Sequence, residues 1–248
     1  MQQDTIQAEQ SRRASSGEQR VQSRILLIED DDELRSLLAR YLSGQGLDVR
    51  EAANGLDGLA LAQDELVDLV VLDIMLPDIN GLEVLRRLRG RTRLPVILLT
   101  ARGEETDRIV GFEVGADDYI PKPCNPRELV ARIQAILRRV AWDRETDIDD
   151  AQTIGDLRVE PDQRRVFQNG QPLDLTATEY EILQVLLSRV GSVVRKTDLM
   201  QWALGRRLTP HDRTLDMHVS NLRRKLDGGE ESRIETVRGL GYSYRSPA

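Results

Sequence analysis

The sequence lacks the features of membrane, secreted and zinc-binding proteins. None of its apolar runs approaches the ~20 residues that a membrane-spanning helix needs. Residues 1–23 are polar and have no apolar core like that of a signal peptide, which predicts a disordered tail, a cytoplasmic location and no membrane partner. The single cysteine, Cys124, cannot form an internal disulfide, and there is no cluster of cysteine and histidine that would predict a zinc site.

Lysine is also scarce, because the 35 basic residues comprise 32 arginines and only three lysines. Charged residues nevertheless make up 31% of the chain and apolar residues 40%, as is usual in soluble globular proteins. A length of 248 residues suits two domains of ordinary size. A lysine at a candidate site is therefore informative, since an ammonium fits a single phosphoryl oxygen where a guanidinium fork fits less well.

Charge is unevenly distributed, and this predicts where the domains begin and end. Residues 25–140 carry 15 basic and 21 acidic side chains, residues 141–152 carry 1 and 5, and residues 153–248 carry 15 and 13. We therefore predict a disordered polar tail over 1–23, an acidic domain over 24–140, a flexible acidic linker over 141–152, and a mildly basic domain over 153–248.

Short strand-like apolar runs alternate with helical patterns in the first domain. Leu34, Leu38 and Leu42, for example, recur at helical spacing. Alternating strands and helices predict an α/β fold with a parallel, doubly wound sheet, whose site lies at the carboxyl ends of the strands. The predicted strands are ILLIE (25–29), DVREA (48–52), LVVLD (69–73), VILLT (96–100) and DYI (118–120).

Polar residues stand where four of these strands end. Glu29 and Asp30 end the first, Asp73 the third and Thr100 the fourth, and Lys122 follows the fifth. Carboxylates this close would raise one another's pKa without a cation, and Mg²⁺ prefers oxygen ligands and often bridges to phosphate. The pattern predicts a magnesium site where Asp73 attacks a phosphoryl group that Lys122 and Mg²⁺ stabilise and to which Thr100 donates a hydrogen bond.

Other interpretations of these residues stay open at this stage. A strand-terminal aspartate is often only a turn former, and the acidic run over 29–33 could simply favour the start of the next helix. A phosphatase that uses an aspartyl phosphate needs a second acid two residues after Asp73, where Met75 stands. An interaction module that no longer responds to phosphate is a third functional alternative, and a flavin-binding fold is disfavoured because no phosphate-cradling loop follows the first strand.

Residues 24–139 resemble the receiver domain of two-component response regulators. The resemblance is carried by LLIEDDD, VVLDIMLPDINGLEVL, PVILLTAR and GADDYIPKP. It implies a flavodoxin-like (βα)5 fold in which Asp73 accepts a phosphoryl group from a sensor histidine kinase. It also implies that Asp30, Asp73 and the Met75 carbonyl ligate Mg²⁺, with Glu29 acting through water.

The same resemblance assigns roles in the loop after the fifth strand. It implies that Thr100 and Tyr119 form the switch pair and that the Lys122–Pro123 peptide is cis. Pro121 and Cys124 depart from the usual pattern on either side of this peptide. A receiver assists its own phosphorylation and slow dephosphorylation, so the resemblance implies a signalling protein and not a turnover enzyme.

The second domain passes from short strand-like pieces to helices. Thr176 and Glu179 predict a capping box before an apolar helix, and Thr209, Pro210 and Asp212 predict the start of a last helix. That helix has one apolar stripe, and its opposite face carries Arg213, Met217, Ser220, Asn221 and Arg224. Such a face suits base edges and phosphates, although an ordinary solvated basic face explains the helix alone equally well.

DRTLDMHVSNLRRKL and ETVRGLGYSYR resemble the winged helix-turn-helix output domain of the OmpR/PhoB family. The resemblance implies a recognition helix in the major groove and a wing arginine in the minor groove. The matching DNA contacts are Arg213, Thr214, His218, Ser220, Asn221, Arg223, the wing residue Arg238, and Trp202 near the DNA backbone. His218 could equally be a satisfied core or interdomain histidine.

The family's receivers pair through their fourth and fifth helices and fifth strand. The matching residues are Arg108, Ile109, Phe112, Glu113, Asp118, Glu128, Arg132 and Arg139, with Arg108–Glu128 and Asp118–Arg132 as complementary charges. The sequence thus predicts a phosphorylation-activated transcriptional regulator that dimerises through its receiver and binds tandem half-sites in promoter DNA. Its predicted partners are a sensor histidine kinase, double-stranded DNA, a second copy of the chain and, as a further candidate, RNA polymerase.

Overall fold

A computed structural model describes residues 22–63, 66–100, 105–145, 152–209, 212–227 and 232–246. Side chains are not described for residues 105–109 and 139–145 or for Asp227. The predicted tail lies outside the described residues except for its last two positions. No helix in these ranges is long and apolar enough to cross a membrane.

A five-stranded parallel sheet forms the centre of the first domain, in the order β2-β1-β3-β4-β5. Its strands are β1 (Arg24–Ile28), β2 (Asp48–Ala52), β3 (Leu69–Asp73), β4 (Val96–Thr100) and β5 (Asp118–Pro121). The chain turns to opposite sides after β1 and β3, so the topological switch point lies between them. Both β3 and β4 are buried along their whole length, because helices cover both faces of the sheet.

Helices α1 (Asp32–Gly44) and α5 (Pro126–Glu145) pack on one face of the sheet, and α2 (Gly55–Leu61), α3 (Gly81–Arg89) and α4 (Glu105–Val114) pack on the other. This architecture confirms the predicted flavodoxin-like α/β fold. Helix α5 continues to Glu145, inside the segment predicted to be a linker, and residues 146–151 lie outside the described part. The predicted domain limits stay a prediction.

The second domain begins with an antiparallel sheet in the order β6-β7-β8-β9, and three helices and a further sheet, β10-β12-β11, follow it. The strands are β6 (Gln152–Ile154), β7 (Leu157–Glu160), β8 (Arg165–Gln168), β9 (Gln171–Pro172), β10 (Val194–Arg195), β11 (Ile234–Val237) and β12 (Gly241–Tyr244). The helices are α6 (Ala177–Leu187), α7 (Lys196–Ala203) and α8 (Thr214–Asp227). Three helices and a terminal hairpin make the predicted winged helix-turn-helix.

Local signals explain where these helices begin. The capping box predicted at Thr176 and Glu179 is confirmed, because both reciprocal hydrogen bonds form at the start of α6. The predicted start of the last helix at Pro210 is wrong, since α8 begins at Thr214. The Asp212 carboxylate accepts a hydrogen bond from the Thr214 amide at 3.0 Å and pairs with Arg206, and this capping fixes the later start.

Gly81 is the residue that brings α3 closest to the end of β3. A Cβ atom at this position would lie 2.1 Å from the Asp73 carbonyl oxygen and 2.8 Å from the Ile74 Cα. The Gly81 amide donates a hydrogen bond to the Ile74 carbonyl at 2.8 Å, so the two backbones are held together. Only glycine permits this approach without a shift of the strand end.

We predict that Gly81→Ala lowers the free energy of unfolding of the first domain by about 3 kcal/mol, because the methyl group overpacks the backbone of β3. Gly44→Ala is the matched control, since a Cβ there meets nothing within 4 Å. Urea unfolding followed by circular dichroism should show a lower midpoint for Gly81→Ala alone. Equal midpoints for the two variants would contradict the close approach.

Candidate functional site

Three carboxylates meet at the switch point of the sheet. Glu29 and Asp30 follow β1 and Asp73 ends β3, and because these strands pair in parallel, all three leave the same edge. One oxygen atom from each lies within 4.8 Å of the others, while Glu29 and Asp73 are buried and Asp30 is exposed. The predicted convergence of these side chains is therefore what the structure shows.

Lys122 lies between the two buried carboxylates. Its Nζ atom donates hydrogen bonds to Asp73 Oδ2 at 2.7 Å and to Glu29 Oε1 at 2.8 Å. Burial raises the pKa of Glu29 above its ordinary value despite the hydrogen bond from Lys122. Burial alone would lower the pKa of Lys122, but its hydrogen bonds with Asp73 and Glu29 outweigh burial and raise it.

The loop after β5 places Lys122 by a backbone contact with β4. The Lys122 amide donates to the carbonyl of Thr100, which is buried at the end of β4, at 2.6 Å. The Lys122–Pro123 peptide is cis, as the resemblance implied. Cys124 is half-buried, and its burial raises the pKa of its thiol, so it is a poor thiolate nucleophile at neutral pH.

Met75 and Tyr119 are two further residues predicted for the phosphoacceptor site. The Met75 side chain is 59% exposed in the loop that follows β3. Tyr119, on β5, packs edge-to-face on Phe112 with ring centroids 5.5 Å apart. The chemical roles assigned to Met75, Thr100 and Tyr119 stay predictions.

Helix α8, the predicted recognition helix, packs on α4 of the receiver. Asn221 Nδ2 donates to the Phe112 carbonyl at 2.6 Å, and His218 Nε2 lies 3.1 Å from the Asp117 carbonyl. Thr214, also predicted to contact DNA, is buried and accepts a hydrogen bond from Arg206 at 2.9 Å. These three side chains are covered in this arrangement, and His218 lies in the contact between the two domains.

The other predicted DNA contacts of the output domain are exposed or half-buried. Arg213, Ser220 and Arg238 are exposed. Arg223 is half-buried and donates to the Ile234 carbonyl at 2.8 Å and to Thr236 Oγ1 at 2.7 Å, which ties α8 to the hairpin. Trp202 is 45% exposed, with the Arg189 guanidinium 4.6 Å from its ring centroid.

Asp117 joins the two domains, and sequence reasoning missed it. Its buried carboxylate accepts hydrogen bonds from Arg89 on α3 at 2.9 Å, from the Val96 amide of β4 at 3.0 Å, and from the Thr178 amide of α6 at 3.0 Å. The Thr178 amide belongs to the first turn of α6, where a negative charge is favourable. The only sequence signal is the paired acid in GADDYIPKP, which does not indicate that either aspartate contacts the output domain.

The output domain covers part of the predicted dimer face of the receiver. Phe112 is 1% exposed, and Asp118 pairs with Arg132 at 2.7 Å within the same chain and with Arg206 of the output domain at 3.5 Å. Glu113 and Glu128 are exposed, and Glu128 pairs with Arg132. The side chains of Arg108 and Ile109 lie outside the described part of the chain, as does that of Arg139.

Two family models match this chain, one for each domain. The response regulator receiver domain matches residues 25–134, and the C-terminal domain of transcriptional regulatory proteins matches residues 170–244. The transcriptional regulatory protein CpxR of Klebsiella pneumoniae subsp. pneumoniae (strain HS11286) is 47% identical over 226 residues, with 89% of this chain and 97% of CpxR covered. CpxR of Escherichia coli (strain K12) is 46% identical at the same coverage.

This chain belongs to the OmpR/PhoB family of response regulators. The solved structure of a cysteine-to-aspartate mutant of RitR is 26% identical, has a TM-score of 0.75, and aligns over 91% of this chain and 100% of that chain. Membership makes the regulator a CpxR-like transcriptional regulator of a two-component system, for which a kinase and DNA are the implied partners. The OmpR/PhoB family is a family of transcription factors and not of enzymes.

We predict that Glu29→Gln raises the melting temperature of this OmpR/PhoB regulator at pH 8 in EDTA. Because burial raises the pKa of Glu29 in the folded chain, the stability that comes with its neutral form is present below its ordinary pKa of 4.5 and is lost as the pH rises through the folded value. Glutamine cannot ionise and avoids that loss. Differential scanning calorimetry at pH 8 and pH 4.5 should show an advantage at the higher pH that shrinks at the lower one.

Glu113→Gln is the control for this prediction, because Glu113 is exposed and distant in sequence from the pocket. It should change the melting temperature little, and equally, at both pH values. A Glu29→Gln variant that is less stable than the wild type at pH 8 would show that pairing with Lys122 outweighs the burial of the carboxylate.

Proposed function

We propose that Asp73 accepts a phosphoryl group from a sensor histidine kinase and that this phosphorylation switches the chain from a closed monomer to a DNA-binding dimer. The observation that carries the proposal is the position of Lys122, whose ammonium contacts the buried Asp73 carboxylate at 2.7 Å at the switch point of the sheet. A buried nucleophile beside a fixed cation suits the transfer of an anionic group.

The donor set fits a magnesium ion. Glu29, Asp30 and Asp73 offer oxygen atoms within 4.8 Å of one another, and hard divalent cations prefer such ligands. Asp30 and Asp73, with the Met75 carbonyl, would hold the ion directly, and Glu29 would act through water. Bound Mg²⁺ would supply positive charge to the oxygens of the transferred phosphoryl group.

The residues of the chain have separate tasks in the transfer. An Asp73 oxygen attacks phosphorus and forms the new P–O bond, while the bond between phosphorus and the donor breaks and its electron pair leaves with the donor. Lys122 then trades its contact with Asp73 for one with a phosphoryl oxygen. Thr100 stands at the end of the neighbouring β4, from which its hydroxyl would donate a hydrogen bond to the same group.

The aspartyl phosphate should hydrolyse slowly, because the chain places no general acid or base two residues after Asp73. The position two residues after Asp73 is Met75, whose thioether cannot act as a general acid or base. The phosphoryl group therefore persists as a signal long enough to change the arrangement of the domains.

Two partners compete for the same face of the receiver. In the closed chain, in which α8 packs on α4, Asn221 of α8 contacts Phe112 and Arg206, which precedes α8, pairs with Asp118; both receiver residues belong to the predicted dimer face. A second receiver on this face displaces α8, frees its polar side chains for the major groove, and brings two output domains to tandem half-sites roughly one helical turn apart. Phosphorylation acts by favouring the paired receivers.

We predict that Asp73→Ala abolishes uptake of phosphate from acetyl phosphate, because the variant lacks the attacking oxygen. Asp57→Asn, an exposed position on α2, is the matched control and should retain the wild-type rate. Phosphate-affinity gels with and without EDTA measure the modified fraction. Uptake by Asp73→Ala, or uptake by the wild type that survives removal of Mg²⁺, would refute the assignment.

We predict that beryllofluoride with Mg²⁺ doubles the mass of the chain in size-exclusion chromatography with light scattering. Asp118→Ala removes the charge predicted to pair with Arg132 between the two receivers, so it should weaken the dimer about tenfold or less. Asp57→Asn, on α2 and outside the predicted dimer face, serves as the charge control. An unchanged mass on activation of the wild type would exclude the dimer.

A further inference from the structure

His218 is a fully buried titratable group in the contact between the two domains. Its side chain is 1% exposed, and its ring packs edge-on against Phe112 of α4 with centroids 4.8 Å apart. Nε2 lies 3.1 Å from the carbonyl oxygen of Asp117. Because a carbonyl can only accept, Nε2 carries the proton and donates it.

The other ring nitrogen of His218, Nδ1, is buried and has no hydrogen-bond partner among the described residues. In the neutral ring Nδ1 is an unpaired acceptor, and this costs less free energy than a protonated Nδ1 would. A second proton would create a buried N–H donor and a buried positive charge without a hydrogen-bond acceptor for that proton.

The charges around the ring do not compensate that proton. The carboxylate of Asp117 is already bonded to Arg89, Val96 and Thr178. Glu179 of α6 accepts from Lys225 of α8 at 2.6 Å and caps its own helix. Three carboxylates act on His218: Asp117 before β5, Asp118 on β5 and Glu179 on α6. Each of them already pairs with a cation, which is Arg89 for Asp117, Arg206 for Asp118 and Lys225 for Glu179.

We propose that His218 is a proton-sensitive latch: its neutral ring fits the contact that holds α8 on the receiver, and its protonation releases α8. The inference rests on the proposed function only in taking α8 as the helix that reads DNA. Acidification would then open the chain without phosphate, through the same displacement of α8 that a second receiver causes. The latch acts on the equilibrium between closed and open chains and not on the phosphoacceptor pocket.

The direction of the pH effect on the closed chain follows from the difference between the pKa of His218 in the closed chain and its pKa in the open chain. Burial lowers the pKa of His218 in the closed chain, more than the nearby carboxylates raise it, whereas an open chain exposes the ring at its ordinary value of 6.5. The stability of the closed chain is therefore complete above pH 6.5 and declines as the pH falls below it. Between pH 7.5 and 5.5 the ratio of closed to open chains should fall by up to about tenfold.

The full chain has only two histidines, which makes the titration of one of them directly measurable. In His211→Gln protein, the imidazole resonances of His218 can be followed by nitrogen and carbon NMR from pH 8 to 5.5. We expect the tautomer protonated at Nε2 and a titration midpoint below 6.5. A midpoint at or above 6.5 overturns the latch, whether or not the chain phosphorylates or binds DNA.

Small-angle X-ray scattering of the same unphosphorylated chain measures the opening itself. The radius of gyration of a monomer, with its mass checked by light scattering, should increase between pH 7.5 and 5.5. His218→Gln is the test variant, because an amide can still donate to the Asp117 carbonyl but cannot be protonated in this range. It should remain compact at pH 5.5, and Ser220→Ala, an exposed change on the same helix, should expand like the wild type.

Expansion of the His218→Gln variant equal to that of the wild type would overturn the latch, and so would a wild-type chain whose radius does not change. If His218→Gln is already expanded at pH 7.5, the amide does not hold the contact, and the NMR midpoint in the His211→Gln protein decides alone. None of these measurements depends on phosphate or DNA, so failure of the latch and failure of the proposed function are separable.

Discussion

The rest of the structure depends on one electrostatic constraint, the presence of two buried carboxylates beside a single ammonium. A parallel sheet covered on both faces has no room for charge except where its strands end. Glu29 and Asp73 leave β1 and β3 at that edge, and the contacts of 2.7 and 2.8 Å with Lys122 hold them there. The first residue of β5, Asp118, pairs with Arg206 of the output domain, and the loop that carries Lys122 follows directly from the end of β5. The phosphoacceptor site and the interdomain contact are therefore joined by one short strand.

Much of the receiver could be predicted from sequence because its signals are local. Apolar runs such as LVVLD fix strands that the structure places at 69–73, and parallel strands must end at a common edge, so Asp73 and Glu29 had to meet. The docking of α8 could not be predicted in this way. The contact between Asp117 and His218 joins residues 101 positions apart, and no periodicity reveals which surfaces of two domains are complementary. The helix start at Thr214 was missed because Asp212 competes as a cap with the proline signal at 210.

The contact between the two domains contains several hydrogen bonds between polar groups, whereas the cores of the domains are apolar. Its hydrogen bonds run from Thr178, His218 and Asn221 to backbone and carboxylate oxygens of the receiver. Most of these groups are paired when the domains are in contact, and water can pair with them when the domains separate. Under the proposed switch, a polar contact of this kind would keep the difference in free energy between the closed and open chains small enough for a phosphoryl group or a proton to bias it.

The uneven charge of the chain affects how strongly its output domain is attracted to DNA. Residues 25–140 carry 15 basic and 21 acidic side chains, and in the closed chain this acidic body lies against the helix with the guanidiniums that would neutralise DNA phosphates. Duplex DNA carries one negative charge per ~1.7 Å, and non-specific attachment is almost entirely electrostatic. Under the proposed opening, the acidic receiver would no longer lie beside this helix, and the electrostatic attraction of the output domain for DNA of any sequence would increase.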